Sequence, residues 1–525
     1  METFTPDERA LLAPHFSNVD GPVFALVDLP ETVKAAMFAR YSRYPGTLRR
    51  LFLDEFAETL PPRGAASDDV EGERAAKLFE RVFVGYGDDS VAQLGGAHVA
   101  VEWCSNVLTK ILQRPRLAGY LEQSTRYIAY DAPMPGGGYR YYRDSELGAE
   151  YEASMDYLFD AYASALPRVA AWVDESYPGA EGESAGARRR AVKAKALDLL
   201  RGLLPAASLS HMGIYASGQA YEQLILHLLA HPLPEARTCG RRLLEAVKAV
   251  IPSFVARVER EGRGDVWVDY LQGRRVAEER WVSRLGLDRE DTPEASSSVR
   301  LTRVEGDENA LLAALLFEAS GVPESATVAA VSALSDAERT AMLADLVGER
   351  ANRRHRPGRG FEALRYRFEI VSDYGAFRDL QRHRMLTVQW QGLTPDLGAE
   401  VPEEVVAAGC GDLYERALDR SRGEYERLRA AGRPEAAPYA LCLGYRIRYL
   451  LDLNAREAMH LIELRSAREG HSSYRAVAQE MHRAIAAIHP AVAAAMKHVD
   501  HSTEPRLERI LAEIRGESRR AQLTA

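Results

Sequence analysis

The chain has 525 residues, 46% of them hydrophobic, and its 67 Lys and Arg against 76 Asp and Glu leave a net charge of −9. At roughly 150 residues per domain it can build two large units or about three to four smaller ones, each with its own core, which excludes a disordered chain or a miniature disulfide scaffold. The acidic excess gives no whole-molecule attraction to nucleic acid or anionic lipid, so neither is expected as a partner.

From the N-terminus, Met1–Arg9 is acidic where a secretory leader would be basic, and no apolar run reaches the about 18 residues that span a bilayer. Cys104, Cys239, Cys410 and Cys442 stand singly, without metal-ligand spacing, so a reduced cytoplasmic setting is expected. Apolar residues at three- and four-residue steps predict helices over Glu31–Tyr41, Ala75–Val84, Leu197–Leu204, Tyr221–Leu229, Ala236–Val250, Glu308–Ala319, Tyr445–Leu464 and Tyr474–Ile488. Aromatic and β-branched stretches predict strands over Ser124–Asp131, Gly138–Arg143 and Arg365–Val371. The class is therefore helix-rich α+β. Polar, Pro- and Ser-rich stretches at Tyr177–Ala187 and Leu287–Ser298 read as loops or linkers. On either side of the second, the same order of helices, Arg-rich motif, Pro-containing turn and closing helices recurs. This predicts two divergent copies, residues 1–285 and 300–525, joined by a linker at 286–299.

Three motifs carry charge in patterns suited to a nucleotide. In the first copy Glu122, Ser124 and Arg126 recur at steps of two and, if extended, share a face; an Arg fork beside a hydroxyl suits a phosphate, and a carboxylate accepts bonds from a sugar or base. The alternative is a solvated strand with a Glu–Arg pair. In the second copy Arg382 and Arg384, if extended, lie opposite His383 and offer two cations to a phosphate pair or a flavin ring, or else form a surface patch. Further on, Asn454 and Arg465 are 465 − 454 = 11 residues apart, about three helical turns, and share a face with Leu461. Arg465 is then either a buried anion contact or a snorkelling side chain, and His460 lies off that face.

Common catalytic signatures fail on context. Gly182-Glu-Ser-Ala-Gly186 has no strand before it, no Gly-rich phosphate loop is present, and His227 and His231 are followed by Leu228 and Pro232 where a zinc helix needs a Glu and continuity. No metal is expected.

Together these residues resemble the flavin-dependent thymidylate synthases, whose signature is Arg-His-Arg followed by Glu-x-Ser-x-Arg-Tyr. Arg114-Pro-Arg116 and Glu122-Gln-Ser-Thr-Arg126-Tyr127 keep the spacing but have proline for the histidine; Arg382-His-Arg384 keeps the first part, with Trp390, Gly392 and Thr394 in place of the rest. Arg201-Gly-Leu-Leu-Pro205 resembles the family's Arg-x-x-Leu-Pro turn, which the second copy reduces to Ala437-Pro438. Asn454-Ala-Arg456 and Leu464-Arg465 match the family's later motifs, where the first copy has Ser217 and Leu228. Each copy keeps what the other lost.

The resemblance implies helices around an antiparallel sheet in each copy and conversion of dUMP to dTMP, with FAD as carrier, NADPH as reductant and methylenetetrahydrofolate as one-carbon donor. It implies that Glu122, Gln123, Ser124, Thr125, Arg126 and Arg201 hold the nucleotide. Arg382, His383, Arg384, Asn454, Arg456, His460 and, in the first copy, Ser90 would contact FAD. Arg465 would be the catalytic cation near the uracil. Family sites form between subunits of a homotetramer, so one tandem chain would act as a fused pair of protomers with a composite site, and a dimer of chains would mimic the tetramer. A non-catalytic or regulatory nucleotide- or flavin-binding protein on the same scaffold is the alternative.

Overall fold

The computed structural model describes residues 2–41, 44–60, 91–287, 296–503 and 506–524. The chain forms two compact units. One comprises Met1–Cys104, Leu108–Gln123 and Ser210–Arg289; the other comprises Ser105–Val107, Ser124–Leu209 and Glu290–Ala525. Among the described residues no helix is long and apolar enough to cross a membrane.

The first unit holds a three-stranded sheet of β1 (Gly96–Ser105), β2 (Ala118–Glu122) and β3 (Leu209–Ser217), in the order β1-β3-β2. β2 runs antiparallel to β3, with Ala118 opposite Ala216 and Glu122 opposite Met212. β3 ends at Ser217, whose hydroxyl caps the helix Gly218–Leu229 by accepting from Ala220 N–H. The helix Pro234–Lys248 follows.

In the second unit β4 (Ser298–Glu305), β5 (Arg365–Asp373), β6 (Leu386–Trp390) and β7 (Arg446–Asn454) form an antiparallel sheet in the order β4-β5-β7-β6. Alternation explains β5 and β7: Tyr366, Phe368 and Ile370, and Ile447, Tyr449, Leu451 and Leu453, are all buried at steps of two. Phe377, Tyr449 and Trp390 cluster on that core, with ring centroids 5.0 and 5.5 Å from Phe377. Apart from β4, the two sheets repeat one topology. The last strand lies in the middle (β1-β3-β2; β5-β7-β6), and a short helix follows the first strand (Asn106–Leu112; Tyr374–Leu380). A capping residue ends the last strand, Ser217 or Asn454. This is the internal duplication in structural form.

Within the second unit the two Pro-containing turns, residues 201–205 and Ala437–Ala440, are stitched backbone to backbone. Ala206 N–H donates to Leu441 O at 2.7 Å, Leu443 N–H to Leu204 O at 2.9 Å and Gly444 N–H to Gly202 O at 2.9 Å. The helices Gly148–Ser176, Ala185–Leu200 and Gly411–Ala430 complete this region.

The predicted helices at Glu31–Tyr41, Tyr221–Leu229, Ala236–Val250, Glu308–Ala319 and Tyr474–Ile488 are present to within a few residues. Ala75–Val84 and most of the 286–299 linker lie outside the described residues. Four expectations are corrected. Tyr445–Leu464 is not one helix: its first part is the central strand β7, and a helix runs only from Ala455 to Arg465. Ser124–Asp131 is a turn, closed by Tyr127 and Ile128 N–H groups on Ser124 O, so Glu122, Ser124 and Arg126 do not share a strand face. Gly138–Arg143 contributes only an isolated bridge, Tyr141 to Ser208. Arg382–Arg384 is irregular backbone between the helix Tyr374–Leu380 and β6 rather than an extended segment.

Candidate active site

The site is built in the second unit, around the ends of four helices. Asn454 closes β7 and caps the helix Ala455–Arg465, its Oδ1 accepting from Glu457 N–H at 2.9 Å. That places Arg465 in the last turn, where a cation is favoured by the helix dipole. Its side chain is only 14% exposed. Nε donates to His383 Nε2 at 3.1 Å, Nη1 lies 3.8 Å from Asp379 Oδ1, and the guanidinium sits 5.6 Å from the ring centre of Tyr474.

Asp379 lies at the end of the helix Tyr374–Leu380 and faces three cations: Arg201 Nη1 at 3.4 Å, Arg465 at 3.8 Å and Arg382 Nη1 at 3.9 Å. Burial alone would raise its pKa; Arg382, Arg465 and Arg201 outweigh that and hold the carboxyl well below the usual range.

Arg126, from the Ser124 turn, is 12% exposed and makes a two-pronged bond to Asp198 on the helix Ala185–Leu200, Nε to Oδ1 at 2.6 Å and Nη2 to Oδ2 at 2.5 Å. Its Nη1 donates to Tyr474 Oη at 3.0 Å and Nη2 to Glu469 O at 3.2 Å. Burial opposes ionisation of Asp198, but the charge of Arg126 wins and lowers its pKa.

Arg201, one helical turn beyond Asp198, is 4% exposed. Its Nε and Nη2 are buried and meet no hydrogen-bond acceptor among the described residues. His471 caps the helix Ser472–Ile488 and bonds Asp198 O through Nε2 at 3.1 Å; burial, then Arg201, pushes its pKa down to about 4. Four arginines (126, 201, 382 and 465) thus meet three aspartates (198, 373 and 379), one cation in excess, with an unsatisfied fork on Arg201. Such a set suits a phosphate-bearing ligand: Arg201 Nε and Nη2 have no hydrogen-bond acceptor among the described residues, Nη2 lying 3.8 Å from Asp373 Oδ1, and two N–H groups on one guanidinium match two phosphate oxygens.

The remaining predicted residues divide. Glu122 belongs to the first unit, fully buried, its Oε2 taking Lys110 Nζ and Gln113 Nε2, both at 3.0 Å. Gln123 N–H donates to His211 O. Ser124 Oγ accepts from Arg126 N–H at 3.2 Å, and Thr125 is buried beside it. Both ring nitrogens of His383 are engaged, Nε2 by Arg465 and Nδ1 by Glu457 Oε1 at 2.8 Å. The His460 ring lies 5.3 Å from that of His383. Arg382 and Arg384 are exposed, and Arg456 Nε donates to Pro357 O at 3.0 Å. These exposed cations suit the pyrophosphate of a dinucleotide such as FAD. His383, Glu457 and His460 also bring one ligand atom each within 4.8 Å of one another. Ser90 lies outside the described residues. Ser184, of the Gly182–Gly186 motif, caps the helix Ala185–Leu200. Sequence reasoning missed Asp198, Asp373, Asp379, Glu457, His471 and Tyr474. One signal was available: Asp198-Leu-Leu-Arg201 and Asp379-Leu-Gln-Arg382 repeat an Asp-x-x-Arg step.

Residues 31–253 and 308–491 match the family described as thymidylate synthase complementing protein. The chain belongs to this family. The two matched segments fit a tandem arrangement. Relatives of the same length include UPF0159 proteins of Chlamydia muridarum (36% identical, covering 98% of each chain) and Chlamydia pneumoniae (34%, covering 95% of this chain and 96% of the relative). A third, from Thermoplasma acidophilum, is 30% identical over 92% of this chain and 98% of its own. A solved UMP/dUMP methylase, PolB of Streptomyces cacaoi bound with 5-Br dUMP, is 18% identical with a TM-score of 0.33, covering 41% of this chain and 100% of that one, a likeness too slight to bear on the site. Family membership supports a thymidylate synthase-like enzyme of the methyltransferase type, and the thymidylate synthase complementing proteins are known as flavin-dependent.

Proposed function

We propose that the chain is a tandem FAD-dependent thymidylate synthase that converts dUMP to dTMP in the cytoplasm. Its site would be composed from both copies, residues 1–285 and 300–525, and two chains would associate. What carries the reading is the convergence of Arg126 and Arg201, from the copy that kept the nucleotide motif, with Arg465, from the copy that kept the flavin motif. Tyr474 and Asp379 are shared between them.

In this reading Nε and Nη2 of Arg201, which make no hydrogen bond among the described residues, take the nucleotide phosphate, with Arg126 beside it on its Asp198 anchor. Arg465 faces the uracil, where a buried cation stabilises charge developing on the ring. Arg382, Arg384, Arg456 and His460 hold FAD, and Arg382 also faces Asp379. FAD supplies the redox chemistry when bound, with NADPH as reductant and methylenetetrahydrofolate as one-carbon donor. The protein supplies orientation and field and no covalent nucleophile, which agrees with thiols raised by burial at Cys104, Cys239 and Cys442. The test is rescue of a thymidine auxotroph by the full chain, paired with dTMP formation by the purified protein. Growth and product support the reading, and soluble protein giving neither would sink it.

A further inference from the structure

His383, Glu457 and His460 could be read as a two-histidine, one-carboxylate metal site, but counting protons on His383 points elsewhere. Nε2 accepts the Arg465 Nε–H at 3.1 Å, so that nitrogen carries a lone pair. Burial, then the charges of Arg465 and Arg356, keep the imidazole neutral by holding its pKa well below the ordinary value. The single ring proton is therefore on Nδ1, which faces Glu457 Oε1 at 2.8 Å. A metal on Nδ1 would need that lone pair and would drive the proton to Nε2, against the Arg465 N–H. The ring is a proton-ordered link, not a ligand.

We propose that Glu457 is a positioning residue for Arg465. By accepting from Nδ1–H it holds His383 in the one tautomer whose Nε2 can fix the guanidinium. Glu457 is buried in the first turn of the helix that carries Arg465 in its last turn, and Asn454 pins its backbone N–H. One helix thus positions its own C-terminal cation through a histidine that comes from the segment before β6. Among the described residues the other close polar partner of the Arg465 head is Asp379, at 3.8 Å a looser restraint. The importance of this link for activity rests on the reading of Arg465 as the cation at the uracil.

The experiment compares Glu457→Gln, whose amide oxygen still accepts from Nδ1–H, with Glu457→Leu, which removes the acceptor. Calorimetric titration of dUMP into the FAD-loaded full chain should show near-normal affinity for Glu457→Gln and a loss of about tenfold for Glu457→Leu, the about 1.4 kcal/mol that one buried hydrogen-bond link to a charged group supplies. In an Arg465→Ala background Glu457→Leu should cost nothing further, because its effect passes through Arg465. Equal losses in both backgrounds would mean a purely structural role and overturn the proposal. Nitrogen NMR of 15N-histidine protein, with His383→Gln for assignment, should find Nδ1 protonated and Nε2 bare in the wild type and in Glu457→Gln; the opposite tautomer overturns the proposal even if Glu457→Leu fails to fold. If the wild type does not bind dUMP, the synthase reading falls, whereas the tautomer spectrum still decides the Glu457–His383–Arg465 link.

Discussion

Removing Asp198 while leaving Arg126 in place should be among the most damaging single changes in the second unit. The pair is two-pronged, at 2.6 and 2.5 Å, and both side chains are nearly buried, 12% and 8% exposed. Among the described residues Asp198→Ala leaves the guanidinium hydrogen-bonded to a phenol and a carbonyl, Tyr474 Oη and Glu469 O, with the Asp379 charge acting at longer range. An uncompensated buried charge costs about 3–5 kcal/mol, and slight exposure of Arg126 favours the lower end, about 3 kcal/mol, or roughly a hundredfold in the folding equilibrium. Arg126→Met removes the charge but keeps the stem over Tyr474. The Arg126→Met/Asp198→Ala double variant should then be more stable than Asp198→Ala alone, with a coupling energy of about 2 kcal/mol. Urea unfolding, followed by far-ultraviolet circular dichroism, measures all four corners of the cycle. A cost below about 1 kcal/mol for Asp198→Ala, as for an exposed pair, or a double variant equal to the sum of the singles, would refute the reasoning.

Gly202→Ala places a Cβ 2.0 Å from the Tyr414 hydroxyl and 3.4 Å from Gly444 Cα, in the seam that holds Arg201; it should cost about 1–3 kcal/mol and weaken dUMP binding, and an unchanged urea midpoint would count against the seam. His471 has its pKa pushed down to about 4 by burial and Arg201, while the unfolded chain takes up that proton near 6.5. Stability is therefore fully present above pH 6.5 and is lost as the pH falls toward 4, by up to about 3 kcal/mol, and His471→Asn should flatten that limb of the profile; a parallel profile would show the histidine does not set it. Arg465→Ala should keep FAD but lower dTMP formation by about 10²–10³-fold, and full turnover in that variant would contradict its placement at the uracil.

Much of the fold is legible where one pattern dominates. Tyr221–Leu229 and Tyr474–Ile488 repeat apolar residues every three or four positions, and Tyr366-Arg367-Phe368-Glu369-Ile370 alternates; all take the predicted form. Tyr445–Leu464 misleads because Tyr449, Leu450, Leu451 and Leu453 satisfy both periods at once, and pairing with β5 and β6 decides for strand. In the site, the cations were visible as motifs but the groups that aim them were not. Arg126 and Asp198 are 72 residues apart, Arg201 and Asp379 178, and Arg126 and Tyr474 348. No local pattern encodes a partner at such separations. The cap of Asn454 and the double engagement of His383 were hidden for the same reason, since each depends on where β7 ends and which helix follows it.

The central claim is that cations from both copies serve one nucleotide beside one flavin. The most direct test is the visible absorption spectrum of the FAD-loaded protein titrated with dUMP, with Arg126→Met and Arg465→Ala run alongside. The account predicts a flavin spectrum that shifts saturably with dUMP in the wild type and a much weaker response in both variants, one altered in each copy. A wild-type protein that retains no flavin, or whose flavin spectrum ignores dUMP, would contradict it.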